Sequence, residues 1–193
     1  MSALSHPTPI APGRVLADLV PGARVKDALL VTAFAVLIGV SAQIAVPLPF
    51  TPVPVTGQTF AVLLGAAALG AGRATLGSSL YLVLGVAGVP WFTATGGASF
   101  GYIVGFVAAA AIVGRFARLG NDRTVGRTVA LMVIGNLVIY VFGVTGLALF
   151  LGVGPVEAMM LGMVPFLIGD AIKLALAAAL LPGTWKLVGS HRA

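Results

Sequence analysis

Between Ala28 and Leu181 the chain offers one apolar stretch after another, each close to membrane-spanning length, with almost no charge inside them. About 20 mostly apolar helical residues cross a bilayer core roughly 30 Å thick. A chain with 59% hydrophobic and 8% charged residues and a mean hydropathy of +1.10 lacks the polar residues that cover a water-soluble domain. The fold class expected is an all-α integral membrane protein. Six crossings are predicted at Ala28–Val46, Gln58–Gly72, Ala74–Val89, Phe100–Phe116, Thr128–Gly152 and Pro165–Leu181, with a short interfacial helix over 156–163. Proline at 165 suits a first helical turn, and Pro182-Gly183 is expected to stop the last helix.

The loop charges test that count independently. With a cytoplasmic N-terminus, the inner segments hold Arg24 and Lys26, then Arg73, then Arg115, Arg118, Arg123 and Arg127, then Lys186 and Arg192. The outer loops 47–56, 90–98 and 152–157 hold no lysine or arginine, and Glu157 is their one charge. This alternation is the positive-inside pattern, and it places both termini in the cytoplasm of a multi-pass cell-membrane protein. The domains expected are a polar cytoplasmic segment over 1–26, a transmembrane domain over 27–188 and a tail over 189–193. Met1–Lys26 holds no continuous apolar run of signal length, so no cleaved leader is expected. Trp91 and Trp185 fall near opposite interfaces, where aromatic belts sit.

Composition also narrows the chemistry. The net charge of +6 sits at helix ends and in loops, which points to lipid headgroups as the partner and away from nucleic acid. There is no cysteine, and His6 and His191 lie near the chain ends, so a metal site and a cysteine nucleophile are not expected. No G-x-x-x-x-G-K-[ST] or H-E-x-x-H occurs, so neither a P-loop nor a zinc-protease helix is present. Neither an enzyme nor a self-powered pump is expected. No internal repeat of the kind common in secondary transporters stands out either.

Few residues inside the apolar runs can carry chemistry. Asp170 and Lys173 lie on one face of the last helix at i,i+3. Charges at membrane depth are costly and usually face a cavity, although a self-neutralising pair that docks helices is the alternative. Gln58 opens the second helix after Pro52-Val53-Pro54-Val55-Thr56-Gly57, an irregular stretch tolerated at membrane depth where it lines a cavity or is buried in protein. A hydrogen-bonded cap explains Gln58 equally well. Asn136 and Tyr140 share a face at i,i+4, as ligand contacts or as interhelical glue. Tyr81 and Tyr102 read as packing residues with tethered hydroxyls. Gly96-Gly97 can turn bare amides toward a carboxylate, or simply make a tight turn. Ala35 and Gly39 form a small-xxx-small pair where a partner helix could approach.

Three segments together resemble the BioY family, biotin-specific substrate-binding subunits of energy-coupling factor (ECF) transporters. They are Pro47-Leu48-Pro49-Phe50-Thr51-Pro52-Val53-Pro54-Val55-Thr56-Gly57-Gln58-Thr59, the run from Tyr81 to Phe92 that contains Gly85, Gly88 and Pro90-Trp91, and Pro165-Phe166-Leu167-Ile168-Gly169-Asp170-Ala171-Ile172-Lys173. The last is similar to the family pattern P-F-x-x-G-D-x-x-K, and the resemblance spans roughly residues 28–181. The family's G-P-T-G-G-Y-x-x-G-F is kept here only as Gly97, Gly101, Tyr102, Gly105 and Phe106, without the P-T-G centre.

The resemblance implies an ECF substrate-binding-component fold of six helices and high-affinity capture of biotin as transported ligand, with no cofactor. It implies substrate contacts from Asp170, Lys173, Gln58, Asn136, Tyr81, Gly97 and Tyr102, and a separate membrane coupling subunit with ATPase subunits. Ala35 and Gly39 are the tentative docking pair for that partner. The rival readings are a stand-alone facilitator or channel, and a structural membrane subunit whose Asp170–Lys173 pair touches no ligand.

Overall fold

The computed structural model describes residues 13–22, 24–90 and 97–190. Its elements run α1 (Arg24–Gln43), β1 (Ala45–Leu48), β2 (Thr51–Thr56), α2 (Gln58–Leu69), α3 (Ala71–Val86), α4 (Phe100–Arg118), α5 (Val125–Leu151), α6 (Pro155–Gly162) and α7 (Leu167–Ser190). Short 3₁₀ turns precede α1 at Leu16–Leu19 and α7 at Val164–Phe166. Helices α1, α4 and α5, and the α6–α7 run from Pro155 to Val188, are the four segments among the described residues long and apolar enough to cross a membrane. With 12 and 16 residues, α2 and α3 extend only about 18 and 24 Å. Large apolar residues such as Leu29, Leu76, Val141, Leu149 and Ile168 face outward around the bundle, an arrangement suited to lipid and ill suited to water.

Helix α4 lies at the centre, packed on α5, α3 and α2, while α7 closes the bundle against α5 and α2. Close approach needs small residues at the crossings. A Cβ at Gly114 of α4 would sit 2.7 Å from the Ala71 Cα, so the tight α2–α3 turn and α4 meet backbone to backbone. That turn is made at Gly70, whose φ of +80° is open to glycine and strained for most other residues.

The first helix ends three residues before the expected Val46. Residues 45–48 instead pair antiparallel with 51–56, Ala45 opposite Thr56 and Val46 opposite Val55. Val46 precedes a proline and is β-branched, and both features favour extended backbone over helix. Helix α7, in contrast, does not stop before Pro182 but continues through it to Ser190. A proline in mid-helix forfeits a backbone hydrogen bond and kinks the helix. Tertiary contacts hold the last turns: the Trp185 indole donates to Asp122 Oδ2 at 2.6 Å, and the Arg123 guanidinium lies 4.5 Å from the centre of the same ring.

Trp185 is therefore a buried anchor between α7 and the α4–α5 loop and does not serve as a belt residue; Trp91 lies outside the described residues. Burial pushes the Asp122 carboxyl above its usual range, partly offset by the indole hydrogen bond. Ala35 and Gly39 also turn inward. Both are buried on the side of α1 that faces the bundle, so they pack within this chain. The neighbouring Phe34 explains that face, because its ring fills the space beside Gly65 of α2 and Gly77 of α3.

The arginine-bearing end of the bundle is knotted by charge. Arg73 donates to Asp18 at 2.7 Å and to Asp27 at 2.9 Å, and the Gly13 amide donates to the Arg118 carbonyl at 2.8 Å. Val15 is fully buried beneath this knot, so the described part of the polar N-terminal segment is docked onto the helices. Burial favours the neutral acid at Asp18. The hydrogen bonds from Arg73 and the Val15 amide, with Arg118 nearby, outweigh it and hold the carboxyl below its usual range.

Candidate functional site

At the hairpin end, α2, α4, α5, α7 and the β2 strand enclose a cavity of about 520 Å³, counting its open mouth. Val53, Pro54 and Thr56 of β2 form one wall, because prolines at 52 and 54 hold this stretch extended across the top of α2. Ile103 and Phe106 of α4, Ile139 of α5 and Phe166 of the turn before α7 supply apolar surface.

The polar side chains arrive from three helices. Asp170 is 7% exposed. Its Oδ2 accepts a short hydrogen bond from the Tyr140 hydroxyl, and its Oδ1 accepts from Lys173 Nζ at 3.2 Å. Lys173 Nζ also donates to Thr59 Oγ1 at 2.7 Å. One network thus ties α7 to α5 and to α2, and the charged pair is not left alone in the apolar interior, where each ion would be expensive. Lys173 has three donors, so one is left for a ligand.

Gln58 serves two purposes that the spacing could not separate. Its backbone N–H donates to Thr56 Oγ1 at 3.3 Å, which satisfies the start of α2, and its side chain lines the cavity. Gln58 Nε2 donates to the Tyr81 hydroxyl at 2.7 Å, which fixes the amide from behind. Asn136, one turn from Tyr140, also lines the cavity, and its side chain makes no hydrogen bond among the described residues. A carboxamide facing an enclosed cavity in a membrane-spanning helix without a protein partner has both a donor and an acceptor to offer.

Five of the seven residues expected from sequence, Asp170, Lys173, Gln58, Asn136 and Tyr102, line this one cavity. The Tyr102 hydroxyl donates to the Gly162 carbonyl at 2.6 Å, the tether expected of it. Tyr81 stands behind Gln58 and does not line the cavity. Gly97 does not line it either: its carbonyl accepts from the Phe100 N–H in the turn that enters α4, and Ser99 is the residue of that turn on the cavity wall. Sequence reasoning missed Thr59, Ser99, Phe106 and Phe166. Thr59 had a signal, since it follows Gln58 at the mouth of α2, but its partner Lys173 is 114 positions away.

The model of the BioY family matches residues 14–190. A "Probable biotin transporter BioY" of Pyrococcus horikoshii is 36% identical over 161 residues, covering 80% of this chain and 93% of its own. The "Biotin transporter BioY" of Thermotoga maritima is 37% identical over 152 residues, covering 75% and 87%. A crystal structure described as the S-component for biotin from an ECF-type ABC transporter superposes with a TM-score of 0.73 at 20% identity, over 84% of this chain and 92% of that one. At that identity the likeness establishes a shared fold.

Proposed function

The chain belongs to the BioY family, and from that premise we propose that it captures biotin in the hairpin-end cavity, as the substrate-specific subunit of an ECF-type transporter. The observation that carries this reading is the ring of Asp170, Lys173, Gln58 and Asn136 around a cavity walled by Ile103, Phe106, Ile139 and Phe166. Biotin brings a ureido group with N–H donors and a carbonyl acceptor, an apolar bicycle and chain, and a carboxylate. The Asn136 carboxamide and the remaining Lys173 donor meet its polar ends, and the aromatic and aliphatic walls meet its middle. Six crossings are supported if α2 and α3, short as they are, each traverse the bilayer with the hairpin filling the remaining depth. The arginine end then faces the cytoplasm and the cavity faces outward, in line with the loop charges. With no P-loop in the chain, ATP hydrolysis falls to partner subunits.

Labelled-biotin uptake in intact biotin-auxotrophic cells tests the reading. Uptake is expected to rise sharply when the chain is expressed together with an ECF coupling subunit and its ATPases, and to be competed by unlabelled biotin. Equal, energy-independent flux with and without those subunits would favour the facilitator reading. In the same cells, an impermeant thiol reagent is expected to label a cysteine replacing Glu157 and to spare one replacing Arg127. The reverse pattern would invert the topology.

A further inference from the structure

The arginine end carries a second concavity, separate from the biotin site. It is a groove of about 870 Å³, counting its open mouth, between the start of α1 and the start of α3. Ala28 and Val31 of α1 and Leu76 of α3 make its walls apolar. Leu76 is 62% exposed, so this apolar wall continues onto the outer surface of the bundle. Gly72 also lines it and is exposed, and a Cβ built there meets nothing within 4 Å. A side chain at that position would project into open space.

The groove's rim is charged, and the charges do not cancel. Arg73, Arg118 and Asp27 line it, and with Lys26 and Asp18, which pair with these residues, three cations stand against two carboxylates. Arg73 is committed to both acids at 2.7 and 2.9 Å. Lys26 donates to the Val20 carbonyl at 3.0 Å and lies 3.9 Å from Asp27. Arg118 reaches Asp18 only at 3.6 Å, and its side chain is 49% exposed. The surplus positive charge is therefore shared by the two loosely paired cations, Lys26 and Arg118, of which Arg118 is the exposed one and lines the groove.

We propose that this groove holds one anionic phospholipid of the adjoining leaflet, its phosphate against Arg118 and an acyl chain along Val31 and Leu76. A phosphodiester with one net negative charge balances the rim, while a zwitterionic lipid leaves the surplus in place. Basic pockets between helices are where membrane proteins recognise such headgroups.

The test is native mass spectrometry and thermal melting of the purified protein in neutral detergent, titrated with phosphatidylglycerol, phosphatidylcholine or inorganic phosphate. Phosphatidylglycerol is expected to bind about fivefold more tightly than phosphatidylcholine, as one additional charge contact near the surface implies, and to raise the melting temperature. Arg118→Gln should bring the two lipids to parity. Gly72→Leu, which puts a bulky side chain into the groove and leaves every charge in place, should abolish retention of both. Each variant must still melt cooperatively, and Gly72→Leu covers the case in which loss of Arg118 loosens the N-terminal segment. Equal affinity for the two lipids, phosphatidylglycerol retention that survives both substitutions, or the same stabilisation from inorganic phosphate alone would overturn the proposal.

Discussion

Replacing Asp170 by asparagine is expected to destabilise the protein by about 3–5 kcal/mol, because it leaves Lys173 as a charge in the apolar interior without its counter-ion. Lys173→Met should cost a similar amount, since it strands the Asp170 carboxylate. The double variant, Asp170→Asn with Lys173→Met, separates structure from function. With both charges gone, most of the stability should return, because a buried ion pair replaced by neutral groups is often close to neutral overall. Biotin affinity should not return. A lost hydrogen bond to a charged group is worth about 1.5–3 kcal/mol, which is about one to two decades in dissociation constant. Melting temperature and biotin affinity measured on both single variants and the double decide it. Near-native affinity in the double variant would make the pair a structural clamp and shift recognition onto Asn136, Gln58 and Ser99.

Gly114→Ala is expected to have an effect of comparable size for a purely steric reason. The added methyl would lie 2.7 Å from the Ala71 Cα and 2.6 Å from the Gly70 carbonyl carbon, and backbone cannot swing aside as a flexible side chain can. Overpacking of this kind typically costs about 1–3 kcal/mol, and more where the neighbour is rigid. The control is Gly72→Ala, two residues beyond Gly70 on the same turn. Its Cβ meets open space, so removing a helical glycine there should stabilise by up to about 1 kcal/mol. Thermal melts of the two variants side by side check the prediction. Equal effects would mean that α4 does not approach the α2–α3 turn this closely.

Much of the site was legible before any coordinates because charge and amide groups are rare in apolar helices. Asp170 and Lys173 stand out at i,i+3, and Gln58 and Asn136 stand out for the same reason of cost. What sequence could not supply is what lies across from each group. The Thr59 hydroxyl becomes important only because α7 packs on α2, and Tyr140 only because its hydroxyl reaches Asp170 on another helix. Phe106 and Phe166 are two of ten phenylalanines, and nothing local separates a cavity wall from lipid-facing bulk.

The fold shows the same division. Helix positions followed from hydropathy, whereas the β1–β2 hairpin and the continuation of α7 through Pro182 required pairings between distant residues. Ala35 and Gly39 illustrate the limit of a spacing rule: small residues four apart mark a close contact, and here the contact is with this chain's own helices. Trp185 similarly has the position of a belt residue but is drawn inward by Asp122, 63 positions away.

The central claim is that this cavity recognises biotin, and isothermal titration of the purified protein in detergent tests it most directly. Biotin, thiamine and riboflavin are titrated in turn into protein first shown to be folded and free of carried-over ligand. The account predicts saturable, one-to-one, high-affinity binding of biotin and no measurable heat from the other two vitamins. Well-folded protein that fails to bind biotin, or that binds thiamine or riboflavin as tightly, would contradict it.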